Sequence, residues 1–324
     1  MAFRRRGERG VRLFFATDIH GSEQCFRKWL NAARVYEADA LILGGDVTGK
    51  ALVPLVQENG AWTGEVFGQR VVAETENDLA ALQKQIRTMG SYDLVLTSQE
   101  KQELDAHPDN VAAAFRRAMQ ESLERWVALA DERLSSAGVP AYVILGNDDF
   151  PELADALRGS DHLTYAEDVI VELPGGFEML SFGYSTPTPW DTPRELPEEE
   201  MERRLEERAT KLHNPEHAIF NIHCPPLGTH LDQAPRLNDE LRPLATPGGF
   251  ELISVGSSAV RSLIERYQPL LGLHGHVHDS AGTQTLGRTL CVNPGSAYGE
   301  GVIRGALIEV SKERGVNRWQ MIQA

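Results

Sequence analysis

The feature that most constrains this chain is a series of apolar, β-branched runs, each stopping at a polar residue beside a glycine. "VRLFFATDIHG" ends in Asp18 and His20, "ADALILGGD" in Asp46, and "VPAYVILGNDD" in Asn147, Asp148 and Asp149. "HAIFNIHCPP" carries His223, and "GHVH" carries His276 and His278. Helical patterns such as "SEQCFRKWLNAARVYEA" separate the first runs. Strands alternating with helices favour βαβ units and a parallel sheet, with functional residues at the carboxyl ends of the strands.

The second half adds hairpin patterns, "VIVELPGGFEMLSFGY" and "TQTLGRTLCVNPG", followed by "RGALIEVSKERGVNRWQMI". These predict a second, mixed sheet packed on the first, with helices on both outer faces. About 100 residues separate Asp46 from Asn147, several times a usual crossover. Within them "AWTGEVFGQRVV" predicts a small hairpin and "ENDLAALQKQIRTMG" a helix stopped by Gly90. Residues 108–137 predict one helix of roughly 40 Å, opened by Pro108 and Asp109 and ended by Gly138. Residues 50–107 are therefore expected to form a mainly helical cap or arm, the place for substrate selection. A further charged helix is predicted after Pro197.

A net charge of −15 speaks against nucleic acid or anionic membrane as a partner, because both demand a basic face. The basic run is "RRRGER", near the start. Cys25, Cys224 and Cys291 are odd in number and unpaired in spacing, which suits a reducing compartment, and cytoplasm is the expected location. No apolar run approaches the roughly 20 residues that span a bilayer.

Asp18, His20, Asp46, Asn147, His223, His276 and His278 are all oxygen or imidazole donors. With no thiolate among them, the set suits Mn²⁺, Fe or Zn²⁺, with Mg²⁺ also compatible with the oxygen donors. Seven donors are too many for one ion and enough for two divalent ions sharing a carboxylate.

The order Asp-x-His, Gly-Asp, Gly-Asn-x-Asp, His, Gly-His-x-His resembles the calcineurin-like metallophosphoesterase superfamily, over residues 16 to about 296. The resemblance implies an α/β fold, a four-layer α/β/β/α sandwich, as one domain over residues 1–324. It implies that Asp18, His20 and His278 hold one metal, that Asn147, His223 and His276 hold another, and that Asp46 bridges them. The activity implied is phosphoester hydrolysis by a metal-bridging hydroxide.

Members that cleave monoesters well carry histidine after the asparagine; this chain carries Asp148, followed by Asp149. These two are the candidate catalytic carboxylates. An ionised Asp148 would repel a phosphate dianion, so a diester is expected to be favoured over a monoester. The expected partner is a small phosphate-ester substrate; the long helix and charged arm also offer a homo-oligomer contact. A nuclease, a nucleoside-pyrophosphate hydrolase and a non-catalytic scaffold are the alternatives. His274 reads as packed or supporting, and Cys224 as core. His230 and Trp190 stand where they could reach substrate or simply pin a loop.

Overall fold

A computed structural model describes residues 10–66, 68–167 and 169–324; the run "RRRGER" lies outside the described residues. In chain order its elements begin β1 (Val11–Ala16), α1 (Glu23–Val35), β2 (Ala40–Gly44), β3 (Ala51–Glu58), β4 (Ala61–Val66), β5 (Gln69–Ala73) and α2 (Glu76–Thr88). There follow β6 (Ser91–Thr97), α3 (Ser98–Asp105), α4 (Pro108–Ala137), β7 (Ala141–Ile144), α5 (Ala154–Arg158), β8 (Leu163–Tyr165), β9 (Val171–Leu173) and β10 (Phe177–Phe182). Then come α6 (Glu198–Ala209), β11 (Ile219–Ile222), β12 (Gln233–Pro235), β13 (Ala245–Thr246), β14 (Gly249–Phe250), β15 (Leu252–Ser254) and α7 (Ser258–Tyr267). The chain closes with β16 (Leu271–Leu273), β17 (Gly282–Leu286), β18 (Thr289–Asn293), β19 (Arg304–Ser311) and β20 (Gly315–Gln323).

Two six-stranded mixed sheets carry the molecule, ordered β20-β19-β1-β2-β7-β8 and β17-β18-β16-β11-β10-β9. In the first, β1, β2, β7 and β8 run parallel; in the second, β10, β11, β16 and β18 do. Alternation within the strands decides what packs where. Leu13, Phe15, Ile42 and Ile144 of the first sheet share a core with Phe177, Met179, Ile219, Leu271 and Val292 of the second. The intervening residues Phe14, Leu41 and Leu43 pack with Phe26 and Trp29 of α1 and Leu123 and Trp126 of α4. On the second sheet, Phe182, Phe220 and Ile222 pack with Met201 and Leu205 of α6 and Val260 and Ile264 of α7. Strands buried on both faces read as continuous apolar runs, which is why they stood out in the sequence.

Helix α4 occupies the predicted residues. Its buried Met119, Leu123, Trp126, Ala130 and Leu134 recur at three- and four-residue steps, and Gly138 ends it at φ 62°. That stripe lies on its own core, where the Phe26 and Trp126 rings stack at 4.5 Å. Among the described residues no helix is long and apolar enough to cross a membrane.

The insertion departs from the mainly helical expectation. Residues 51–97 build a four-stranded sheet, β5-β4-β3-β6, and among the described residues of the insertion only α2 and α3 are helical. The β4–β5 hairpin was expected; β3 and β6 were not. Pro54 masked β3, since proline removes a ladder donor. It is accommodated because β4 pairs only with Val56–Glu58, beyond the proline. The base of this sheet is tied to the main body: the Gly49 N–H donates to Tyr92 Oη at 2.6 Å and Ser22 Oγ donates to the Thr88 carbonyl at 2.6 Å.

Candidate metal centre

The parallel strands β1, β2 and β7 are neighbours in one sheet, β11 and β16 in the other, and the candidate residues follow their carboxyl ends. Beyond the strands the loops continue to bond one another. Asp18 N–H donates to the Gly45 carbonyl (3.0 Å), His20 N–H to that of Asp46 (2.9 Å), and Gly275 N–H to that of His223 (2.9 Å). Four of the candidate residues hold positive φ: Asp18 at 53°, His20 at 38°, Asp46 at 49° and His276 at 67°. Asp and His tolerate this region better than most residues, yet each instance costs about 1–2 kcal/mol, and such strain gathers at functional sites. Gly45, at φ 107°, must be glycine for a second reason: a β-carbon there would stand 2.7 Å from His223 Nδ1.

All seven side chains meet. Ligand atoms of Asp18, His20, Asp46 and His278 lie within 4.8 Å of one another. His20 Nε2 is 3.0 Å from His278 Nε2, and Asp18 Oδ1 is 3.3 Å from His278 Nε2. On the other side, Asn147 Oδ1 lies 3.1 Å from His223 Nε2 and 2.7 Å from His276 Nδ1. Asp46 Oδ2 stands between the two groups, 3.5 Å from His20 Nε2 and 3.4 Å from His223 Nε2. Asn147 Nδ2 donates to Thr192 Oγ1 at 3.0 Å, which turns the amide oxygen toward the imidazoles.

The donor set fits divalent cations. His223 Nδ1 meets the Gly44 carbonyl at 2.8 Å, so a neutral ring donates there and its Nε2 lone pair faces the oxygens of Asn147 and Asp46. Such a meeting of acceptors needs a proton or a cation between them. The titration tendencies say the same. Burial pushes His223 down, but Asp46 and Asp18 prevail and lift it to about 9. Asp46 is held well below its usual value by His223 and His20 against the opposing effect of burial, and Asp18 is likewise lowered, by His223 and His278. Burial, with help from His223, depresses His276 to about 4. Two buried carboxylates thus demand positive charge, and a divalent ion bound by neutral imidazoles meets that demand without protons.

The remaining predicted residues divide sharply. Asp148 lies at the mouth, its Oδ2 3.8 Å from His20 Nδ1 and its N–H donating to Asp46 Oδ1 at 3.0 Å. Asp149 is fully buried beneath, accepting from Val47 N (2.9 Å), Thr48 N (2.8 Å), Thr48 Oγ1 (2.6 Å) and Gly146 N (2.8 Å). It ties the Asp46 loop to the Asn147 loop. Buried His274 meets the Ile222 carbonyl at 2.8 Å, and Cys224 is buried in the second sheet's helix-covered core. His230 bonds the Thr283 carbonyl at 2.8 Å, while Trp190 is 63% exposed.

Sequence reading missed several neighbours. Lys50 reaches Asp148, with Nζ 2.5 Å from Oδ2. Tyr298 sets its ring 4.7 Å from that of His20, and Arg194 donates to the Gly146 carbonyl at 3.0 Å. Lys50 follows Asp46 by four residues in "GGDVTGK", and that proximity was its one available signal. Tyr298 lies in "VNPGSAYGEG", the loop after the last motif, which by sequence could either approach the metals or be only a tight turn; Arg194 reaches the site through the fold alone.

No family model matches the chain. It is 30% identical over 152 residues to the uncharacterized protein MJ1162 of Methanocaldococcus jannaschii, covering 46% of this chain and 61% of that protein. It is 26% identical over 159 residues to the UDP-2,3-diacylglucosamine hydrolase of Shigella dysenteriae, covering 49% and 61%. The matched stretch thus spans about six tenths of either relative's length. The solved structure of TT1561 from Thermus thermophilus superposes with a TM-score of 0.51 at 14% identity, covering 97% of this chain and 98% of that one, a likeness of fold. The motif order that resembles the calcineurin-like metallophosphoesterases thus brings its seven donors together in one place.

Proposed function

We propose that this chain is a dinuclear metal-dependent phosphoesterase acting on a small phosphate ester. One observation carries the reading: seven oxygen and imidazole donors meet at one rim of two sheets, with two buried carboxylates in need of positive charge. Asp18, His20 and His278 would hold one ion, and Asn147, His223 and His276 the other. Asp46 would serve both, since its Oδ2 lies between the groups. Two such ions, when bound, acidify water and neutralise phosphoryl oxygens. Manganese is our first choice for the hard, mixed oxygen and imidazole set.

The protein's own part is to hold these groups still. Asp149 braces the two loops, His223 is oriented by the Gly44 carbonyl, and Asn147 by Thr192. Asp148 puts a carboxylate at the mouth with Lys50 against it, so the pair leaves no net charge there to set against a doubly charged monoester, and diesters and monoesters are both candidate substrates. We read the two sheets with their helix coats as the four-layer sandwich, supported by the three core clusters between successive layers. The 50–107 insertion, anchored through Tyr92 and Thr88, would form one wall for substrate selection in a cytoplasmic enzyme.

The name of the Shigella relative favours a second substrate class, a UDP-containing compound. Exposed Trp190, two residues from the Thr192 that supports Asn147, offers a face on which a base could stack.

The test is hydrolysis of bis(p-nitrophenyl) phosphate and p-nitrophenyl phosphate by metal-stripped protein, with and without Mn²⁺. Manganese-dependent cleavage of at least one ester, lost in His278→Ala, is expected. Silence on both esters in metal-loaded protein, or failure to bind metal at all, would overturn the reading.

A further inference from the structure

The mouth of the centre carries an ion pair whose members come from opposite sides. Lys50 opens the insertion, Asp148 follows Asn147, and Lys50 Nζ lies 2.5 Å from Asp148 Oδ2. Asp148 is fixed on its other edges: its N–H donates to Asp46 Oδ1 at 3.0 Å, and its Oδ1 accepts from Asn147 Nδ2 at 3.3 Å. Its carboxylate is 17% exposed, whereas the Lys50 side chain is 46% exposed. The carboxylate is thus held in place, and the Lys50 side chain is nearly half exposed, its ammonium keeping two N–H groups to spare. The charge of Asp148, which alone would repel a phosphate dianion, is cancelled at contact distance.

Deepening the phosphoesterase reading, on which it rests, we infer that Lys50 binds an anionic oxygen of the substrate phosphate, with Asp148 as its positioning residue, and that the net charge of this pair sets the preference between singly and doubly charged esters. A monoester dianion carries one more charge than a diester, so it responds more steeply to any charge change at the mouth. Removing Lys50 uncovers Asp148 and penalises the dianion. Removing the charge of Asp148 leaves Lys50 unopposed and favours it. Removing both returns the mouth to neutrality.

The experiment compares Lys50→Ala, Lys50→Arg, Asp148→Asn and the Lys50→Ala/Asp148→Asn double variant, reconstituted with Mn²⁺. It records kcat/KM on the two p-nitrophenyl esters, metal per chain, and the affinity for inorganic phosphate by calorimetry. Lys50 is half exposed, so its variants should fold. In Lys50→Ala the monoester rate should fall about tenfold more than the diester rate, with phosphate affinity falling by about the same factor and metal content unchanged. Asp148→Asn should move the ratio the other way, Lys50→Arg should keep it, and the double variant should return it toward that of the parent. Equal loss on both esters, or unchanged phosphate affinity at full metal content, would overturn the inference. If the parent hydrolyses neither ester the phosphoesterase reading falls, and the phosphate titration still decides the pair: unchanged affinity in Lys50→Ala refutes it, a tenfold loss supports it.

Discussion

Replacing Asp149 with asparagine isolates the brace beneath the centre. Oδ1 accepts from the Thr48 N–H and hydroxyl, and Oδ2 from the Val47 and Gly146 N–H groups. Asparagine keeps the volume, so no cavity opens. One of its two ends is now a donor, and whichever way the amide turns that end meets two donors. The lost bonds contribute about 1.5–3 kcal/mol each, or about 3–6 kcal/mol together. Burial and the charge of Asp46 lift the carboxyl to about 6, however, and the neutral amide relieves that cost, which favours the lower figure. If the amide faces Thr48 its hydroxyl can rotate away, which favours the same figure. An unfolding entropy of about 2.1 cal/mol/K per residue over 324 residues is about 0.7 kcal/mol/K, so the midpoint should fall by about 4–9 °C. Differential scanning calorimetry of metal-free protein measures this directly. Because the brace joins the loops of Asp46 and Asn147, metal affinity should fall as well. A midpoint within about 1 °C of the parent, with metal affinity unchanged, would refute the reasoning.

Two other changes test neighbouring parts of the account. Gly45→Ala places a β-carbon 2.7 Å from His223 Nδ1 at φ 107°, and should cost about 1–3 kcal/mol while reducing metal occupancy; equal occupancy and stability would contradict the close approach. Glu198 caps α7 from a neighbouring helix, accepting from Ser257 Oγ (2.7 Å), Ser258 N (2.7 Å) and Ala259 N (3.0 Å). Burial pushes its carboxyl up, but these bonds prevail and hold it below the usual 4.5. A depressed acid stabilises the fold above its unfolded value, and that contribution fades as pH falls through the folded one. Glu198→Gln should therefore lower the midpoint slightly at pH 7, by an amount worth about 0.5 kcal/mol, with the difference vanishing in acid; a difference that grew in acid would oppose the assignment.

The seven donors and the central strands were legible because β2, β7, β11 and β16 are buried on both faces and each gives way to a polar residue of the site soon after its end. Helix α4 was legible from its own ends, Pro108 and Gly138. The insertion was misread where local signals mislead: Pro54 argues against a strand, yet β3 pairs fully only with β6 along its proline-bearing half. Asp149 is a candidate catalytic carboxylate by its place in the Gly-Asn-x-Asp motif, and only the folded loops reveal four donors closing around it. Lys50 could not be paired with Asp148 from sequence, since 97 intervening residues return the chain to the same mouth.

The central claim, a phosphoesterase working through two metal sites, is tested most directly by adding Mn²⁺ in measured equivalents to metal-stripped protein while following hydrolysis of the two p-nitrophenyl esters. The account predicts activity that rises and levels off at two equivalents per chain. Activity independent of added metal, or none at saturating metal that is demonstrably bound, would contradict it.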